Sequence, residues 1–244
     1  MVEIIIDERK IQTRPGDTVL NAAQRAGVFI PTLCHNDSVK PYSACRMCMV
    51  EVTQNGRTKL VTSCDYPVSN NLKVKTNTPR LKRNRKMILE LLMARSPESP
   101  ALIDMAKQVG LDHEPRFKAQ NFDDCIMCGL CVRVCNEVVG ASAIGFENRG
   151  PARRVVPPFD MENPECIACG ACAQVCPVSV IDIFEHAGIR ELPRWHKKAK
   201  LVKCRSCGRY FATEEELEMV RKKTKLSEDA LHTCPDCRTY SFKV

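Results

Sequence analysis

Sixteen cysteines in 244 residues fall into four sets of four with none left over, and no other feature constrains the chain as tightly. In order they are Cys34, Cys45, Cys48 and Cys64; Cys125, Cys128, Cys131 and Cys135; Cys166, Cys169, Cys172 and Cys176; and Cys204, Cys207, Cys234 and Cys237. The first residues, MVEIIIDERK, carry Glu3 and Asp7 where a secretory leader would be basic and then apolar. The expected location is therefore cytoplasmic, where thiols stay reduced, and metal is favoured over disulfides. The most apolar stretch, MILELLMA at 87–94, is short and contains Glu90, so no membrane span is expected.

The second and third sets form an internal repeat, CIMCGLCVRVC against CIACGACAQVC. C-x2-C-x2-C-x3-C places three thiolates on one [4Fe–4S] cube and sends the fourth to the neighbouring cluster. This predicts one cluster on Cys125, Cys128, Cys131 and Cys176, and a second on Cys135, Cys166, Cys169 and Cys172. Gly129 and Gly170 allow the chain to turn tightly over a cluster. Two unrelated zinc knuckles would have no use for eight ligands so spaced.

The first set, C-x10-C-x2-C-x15-C, sits in a different setting. EIIID and KIQTR read as a hairpin turned at Glu8–Arg9, and VLNAAQRAG as a helix capped by Asp17 or Thr18 and stopped at Gly27. MVEV and KLVTS read as strands joined at Asn55–Gly56. That order is a small ferredoxin-type β-grasp, and it predicts a [2Fe–2S] centre on Cys34, Cys45, Cys48 and Cys64. A structural zinc is the alternative. His35, beside Cys34, is a candidate to tune or replace a ligand.

In the last set the pairs C-x2-C-G and C-P-x-C predict a zinc ribbon on Cys204, Cys207, Cys234 and Cys237, with a rubredoxin-like iron as the rival. Between them TEEELEMVRKK reads as a helix capped by Thr213. The formal charge of +8 suggests an acidic partner when taken bare. Four tetrathiolate centres at about −2 each bring the loaded chain close to neutral, which argues against nucleic acid.

PTLCHND, ACRMCMVEV and VTSCDYPV, followed by the two repeat motifs in their longer contexts, resemble the N-terminal region of the complex I large iron–sulfur subunit. Related iron–sulfur subunits occur in NAD-linked hydrogenases and formate dehydrogenases. The resemblance covers about residues 1–185 and departs from the family in one place. The family's additional [4Fe–4S] site, held by one histidine and three cysteines, has no counterpart: ARSPESPALIDMAKQVGL holds neither residue type, and His113 stands alone beyond it. The tail is similar to that of the formate hydrogenlyase small iron–sulfur subunit.

The expected architecture is α+β. It comprises a [2Fe–2S] ferredoxin-like β-grasp over 1–78, a helical linker over 79–115, a bacterial dicluster 2×[4Fe–4S] ferredoxin-like domain over 116–190 and a zinc-ribbon tail over 191–244. In the linker, PRLKRNRK reads as the solvent face of a helix whose core face is Leu81, Ile88, Leu91 and Leu92. WHKKAKLVK, residues 195–203, reads as a linker or subunit contact. No G-x-G-x-x-G and no complete phosphate loop occurs, since Phe146 stands where the lysine belongs. No catalytic residue is therefore expected.

By resemblance, the chain is an electron-transfer subunit of a multi-subunit oxidoreductase. Its expected partners are a flavin and NAD(P)H-binding subunit and a catalytic subunit of hydrogenase or formate dehydrogenase type, with ferredoxin as a further candidate. The resemblance implies that the [2Fe–2S] domain faces the flavin subunit. A free-standing multi-cluster carrier is the alternative, and an iron–sulfur and zinc nucleic-acid-binding protein a more distant one.

Overall fold

A computed structural model describes residues 1–111, 113, 115–117 and 123–241, with side chains up to 239. It divides into two units, Met1–Leu130 and Cys131–Val244. In the first, alternating apolar residues form β1 (Val2–Ile6) and β2 (Arg9–Thr13), with Ile4 opposite Ile11. The turn residues are Asp7 and Glu8, at φ 45° and 72°, so the hairpin turns one position earlier than expected. Thr18 caps α1 (Val19–Arg25): its hydroxyl accepts from the Asn21 amide, and the Asn21 side chain accepts from the Thr18 N–H.

β3 (Met49–Gln54) and β4 (Arg57–Thr62) meet at the expected Asn55–Gly56 turn, both residues having positive φ. A fifth strand that the sequence reading lacks, β5 (Leu72–Lys75), pairs parallel with β1 and antiparallel with β3. The sheet order β2-β1-β5-β3-β4 is that of a β-grasp. Ile4, Ile6, Val50, Val52 and Leu72 are fully buried together with Val19 and Leu20 of α1. Each such side chain contributes roughly 1.5–3 kcal/mol, so this domain has a core of its own.

Thr78 caps α2 (Pro79–Arg95), against which α3 (Pro100–Gln108) packs. The buried face of α2 is Leu81, Arg85, Leu89 and Glu90, while Leu91 is half exposed. The expected core face of Leu81, Ile88, Leu91 and Leu92 is thus rotated, and Arg85 belongs to the interior instead of the solvent face.

In the second unit, α4 (Leu130–Arg133), which begins at the dividing residue, runs into a π-helical turn over Val134–Val139. The short ribbon of β6 (Gly145–Glu147) and β7 (Arg154–Val156) and the single turn α5 (Ala171–Gln174) complete the repeat region. β8 (Phe184–His186), β9 (Ile189–Leu192), β10 (Lys197–Lys203) and β11 (Tyr210–Thr213) then form an antiparallel sheet in the order β11-β10-β9-β8. Most of 195–203 is therefore a strand and not a linker, because its side chains alternate between buried and exposed. α6 (Glu214–Lys223) starts at Thr213 as expected, and α7 (Glu228–Leu231) and α8 (Pro235–Ser241) follow. Ala212, Leu217 and Leu231 form a small buried apolar cluster at this end, with Val202, Phe211 and Val220 partly buried against it. Among the described residues no helix is long and apolar enough to cross a membrane.

Candidate metal centres

Cys34, Cys45, Cys48 and Cys64 are all buried beside the β-grasp sheet, none more than 6% exposed. They are mutual neighbours: the Cys45 amide donates to Cys34 Sγ at 3.4 Å, and Cys48 is hydrogen-bonded to Cys64. Hydrogen bonding to Cys34, followed by burial, pushes the Cys45 thiol far up. Cys64 is pulled down to about 7 by Cys48 and then by Ser43, whose Oγ lies 3.3 Å from its Sγ. Four thiols that compete for charge in an apolar site are the donor set that a metal centre relieves, since the thiolate is the ligand. From α2, Arg85 donates to the Met47 and Met49 carbonyls at 3.4 and 3.0 Å and so ties down the Cys45–Cys48 loop. His35 Nε2 lies 3.1 Å from Asp37 Oδ1, and its Nδ1 is buried with no hydrogen-bond partner among the described residues.

The internal repeat extends to the backbone. Met127 and Ala168, at matching positions, have φ of 56° and 52°, and Gly129 and Gly170 have 72° and 76°. A Cβ on Gly170 would also stand 2.7 Å from Ile183 Cδ1, the far end of a flexible side chain, so the positive φ is the stronger reason for glycine there. The division between units falls within the second set of cysteines: Cys125 and Cys128 belong to the first unit, Cys131, Cys135 and Cys176 to the second. The Met127 amide donates to Cys125 Sγ at 3.4 Å, and Arg95 Nε donates to the Cys125 carbonyl at 2.9 Å.

Cys135, Cys166, Cys169 and Cys172 line one cavity in the second unit, with Leu192 and Trp195 on its wall. Burial pushes the Cys166 and Cys169 thiols up and Cys172 to about 12, and Cys135 is an electrostatic neighbour of all three. Against this, amide groups point at sulfur: the Ala143 N–H donates to Cys135 Sγ at 3.3 Å, and Ala168 and Ala171 serve Cys166 and Cys169. Trp195 Nε1–H donates to Cys172 Sγ at 3.3 Å. The sequence reading has Trp195 within WHKKAKLVK, a linker or subunit contact, and not as a neighbour of a sulfur. The signal available was a lone tryptophan, since a buried indole N–H usually finds a hydrogen-bond partner.

Cys204, Cys207, Cys234 and Cys237 form a four-cysteine metal site, their sulfurs all within 4.8 Å of one another. Cys207 and Cys234 Sγ are 3.9 Å apart, close to the ~3.8 Å edge of a tetrahedron with 2.3 Å metal–sulfur bonds. The Cys234 amide donates to Cys204 Sγ at 3.2 Å and, with the Cys207 amide, brings that thiol down to about 6.

Among the described residues of the linker, a buried carboxylate is paired with two side chains. Glu90, 2% exposed, accepts from His113 Nε2 at 2.9 Å and from Arg116 Nε at 2.8 Å.

The chain is similar to known proteins over most of its length. Residues 1–79 match the 2Fe-2S iron-sulfur cluster binding domain and residues 163–182 the 4Fe-4S binding domain. One subunit of the NADH-quinone oxidoreductase of Rhizobium meliloti is 33% identical over 62% of this chain and 20% of its own length. The alpha subunit of the NADPH-Fe(3+) oxidoreductase of Geobacter sulfurreducens is 32% identical over the same shares. A subunit of the NADP-reducing hydrogenase of Solidesulfovibrio fructosivorans is 32% identical over 66% of this chain and 32% of its own. The chain thus spans between a fifth and a third of the length of these curated relatives. A chain in the crystal structure of an NAD+-reducing [NiFe]-hydrogenase superposes with a TM-score of 0.55 and 31% identity, covering 64% of this chain and 74% of that one.

Proposed function

The chain belongs, through its N-terminal 2Fe–2S and 4Fe–4S domains, to the iron–sulfur subunits of the complex I and NAD+-reducing hydrogenase family, and on that premise we propose that it is an electron relay in a multi-subunit oxidoreductase. It connects a flavin-bearing NAD(P)H subunit to a catalytic subunit of hydrogenase or formate dehydrogenase type, or to a ferredoxin-linked, electron-bifurcating one. The observation that carries this reading is the gathering of separate sets of four thiols, each served by amide or side-chain donors to sulfur, in a chain whose relatives are NAD(P)H-linked.

On this reading Cys34, Cys45, Cys48 and Cys64 hold a [2Fe–2S] cluster. Cys125, Cys128, Cys131 and Cys176 hold one [4Fe–4S] cluster, and Cys135, Cys166, Cys169 and Cys172 the other. Such clusters supply reversible one-electron chemistry with no bond made or broken in a substrate. The residues around them supply the rest. Amide N–H groups favour negative charge on sulfur, burial excludes water, and Arg85 fixes the Cys45–Cys48 loop. The tail site takes zinc as a structural staple, because the apolar cluster at this end is small among the described residues.

Anaerobic purification of the tagged chain from its own host, with mass spectrometry of whatever co-purifies, tests the reading. A flavin–NAD(P)H subunit together with a metal-bearing catalytic subunit is the expected result. A chain recovered alone, with full clusters and a monomer's mass, overturns the complex and leaves a mobile carrier.

A further inference from the structure

The hairpin of β9 and β10 lies beyond the residues matched to the 4Fe-4S binding domain, yet its turn reaches the cavity lined by Cys135, Cys166, Cys169 and Cys172. Trp195 ends the turn Pro193–Trp195 and is 1% exposed. An indole N–H can only donate, and burying it without an acceptor is costly. Its acceptor here is Cys172 Sγ, at 3.3 Å.

Independent contacts tie the hairpin, and β11 beside it, to the Cys166–Cys169 loop and its flanks. Arg190 Nη1 donates to the Ala168 carbonyl at 3.0 Å, and Thr213 Oγ1 donates to the Ile167 carbonyl at 2.6 Å. Lys197, 6% exposed, bridges Glu162 at 3.1 Å and Glu215 at 3.6 Å. The Arg194 guanidinium lies 5.7 Å from the indole centroid. The indole therefore has little freedom to turn its N–H elsewhere.

We propose that Trp195 sets the reduction potential of the cluster held by Cys135, Cys166, Cys169 and Cys172. The inference deepens the relay reading and rests on that ligand set. A hydrogen bond to sulfur strengthens as the sulfur gains negative charge, so the Trp195 N–H favours the reduced state more than the oxidised one. The proton stays on Nε1 in both states; only the strength of the bond changes. The segment that carries Trp195 thus makes this cluster a better electron acceptor than its ligand loop alone would.

The test replaces Trp195 in the full anaerobic chain, or in its complex where one co-purifies. One variant is Trp195→Phe, and the second carries benzothienylalanine, which keeps the shape of the indole and lacks the N–H. Redox titration with dithionite, followed by electron paramagnetic resonance, reads each cluster's midpoint. The expected result is that one [4Fe–4S] step becomes about three- to tenfold harder to reduce, as for a net hydrogen bond of ordinary strength. At 59 mV per tenfold change this is a fall of roughly 30–60 mV. The other [4Fe–4S] and the [2Fe–2S] midpoints stay in place, and iron content is unchanged.

Unmoved midpoints in a benzothienylalanine variant with full iron overturn the proposal, and so does an equal shift of all three. Where Trp195→Phe loses iron through poor packing, the benzothienylalanine variant decides. An iron shortfall in the unmutated chain, by contrast, brings down the ligand set itself.

Discussion

Glu90 is a carboxylate inside the linker, 2% exposed, and Arg116 followed by His113 holds it well below its ordinary value of 4.5. A carboxyl whose folded value is depressed stabilises fully above its unfolded value, and that stabilisation is lost as pH falls through the folded one. Glu90→Gln should therefore lower the melting temperature at about pH 7, with the gap closing only below about pH 4.5. Thermal melts by circular dichroism across that range check it, and a gap that stays constant down to about pH 3.5 contradicts it. The sequence displays Glu90 as one charge in an apolar run and Arg85 as one cation in a basic cluster. Neither partner set could be read there, because the Glu90 contacts lie 23 and 26 residues away and those of Arg85 36 and 38. A buried charge is tolerated only once such partners are assembled.

Caps and turns were the legible part of the elements, because their chemistry is local. As caps and turn, Thr18, Thr213 and Asn55–Gly56 each use partners within three residues of themselves. β5 was missed for the opposite reason. LKVK is four residues of mixed character, and it is a strand because β1 and β3 each offer it an edge. Two helix caps of the same type allow a comparison. Thr78 caps α2 through the Leu81 amide and nothing more is needed of it, so Thr78→Ala should cost about 1 kcal/mol. Thr213 caps α6 and also donates to the Ile167 carbonyl, beside Cys166. Thr213→Ala should cost about 1 kcal/mol more than Thr78→Ala. It should also speed the loss of visible [4Fe–4S] absorbance in air, whereas Thr213→Ser keeps both properties. Equal behaviour of the two alanine variants would show that the Ile167 bond carries nothing.

Across the whole molecule the thiols dictate what must be bound. The relay reading expects about ten irons and about one zinc per chain, measured by plasma emission on anaerobically purified protein. About eleven irons with no zinc would make the tail site a rubredoxin-like centre and remove the structural zinc. On the same reading the bare charge of +8 also has a physical role, since four tetrathiolate centres at about −2 each would bring the loaded chain near neutrality. By itself the sequence determined that the thiols come in fours, that two of the sets repeat one ligand motif, and that a β-grasp lies at its N-terminal end. These are matters of short-range spacing and alternation, which backbone geometry enforces within a few residues. Only the tertiary structure decided what faces each sulfur. The Trp195 N–H reaches Cys172 across 23 residues, the Thr213 hydroxyl reaches the Ile167 carbonyl across 46, and the buried Arg85 spans from α2 to the Cys45–Cys48 loop. Such donors are selected by burial and by the need to satisfy polar groups away from water, and those conditions exist only once distant segments have packed.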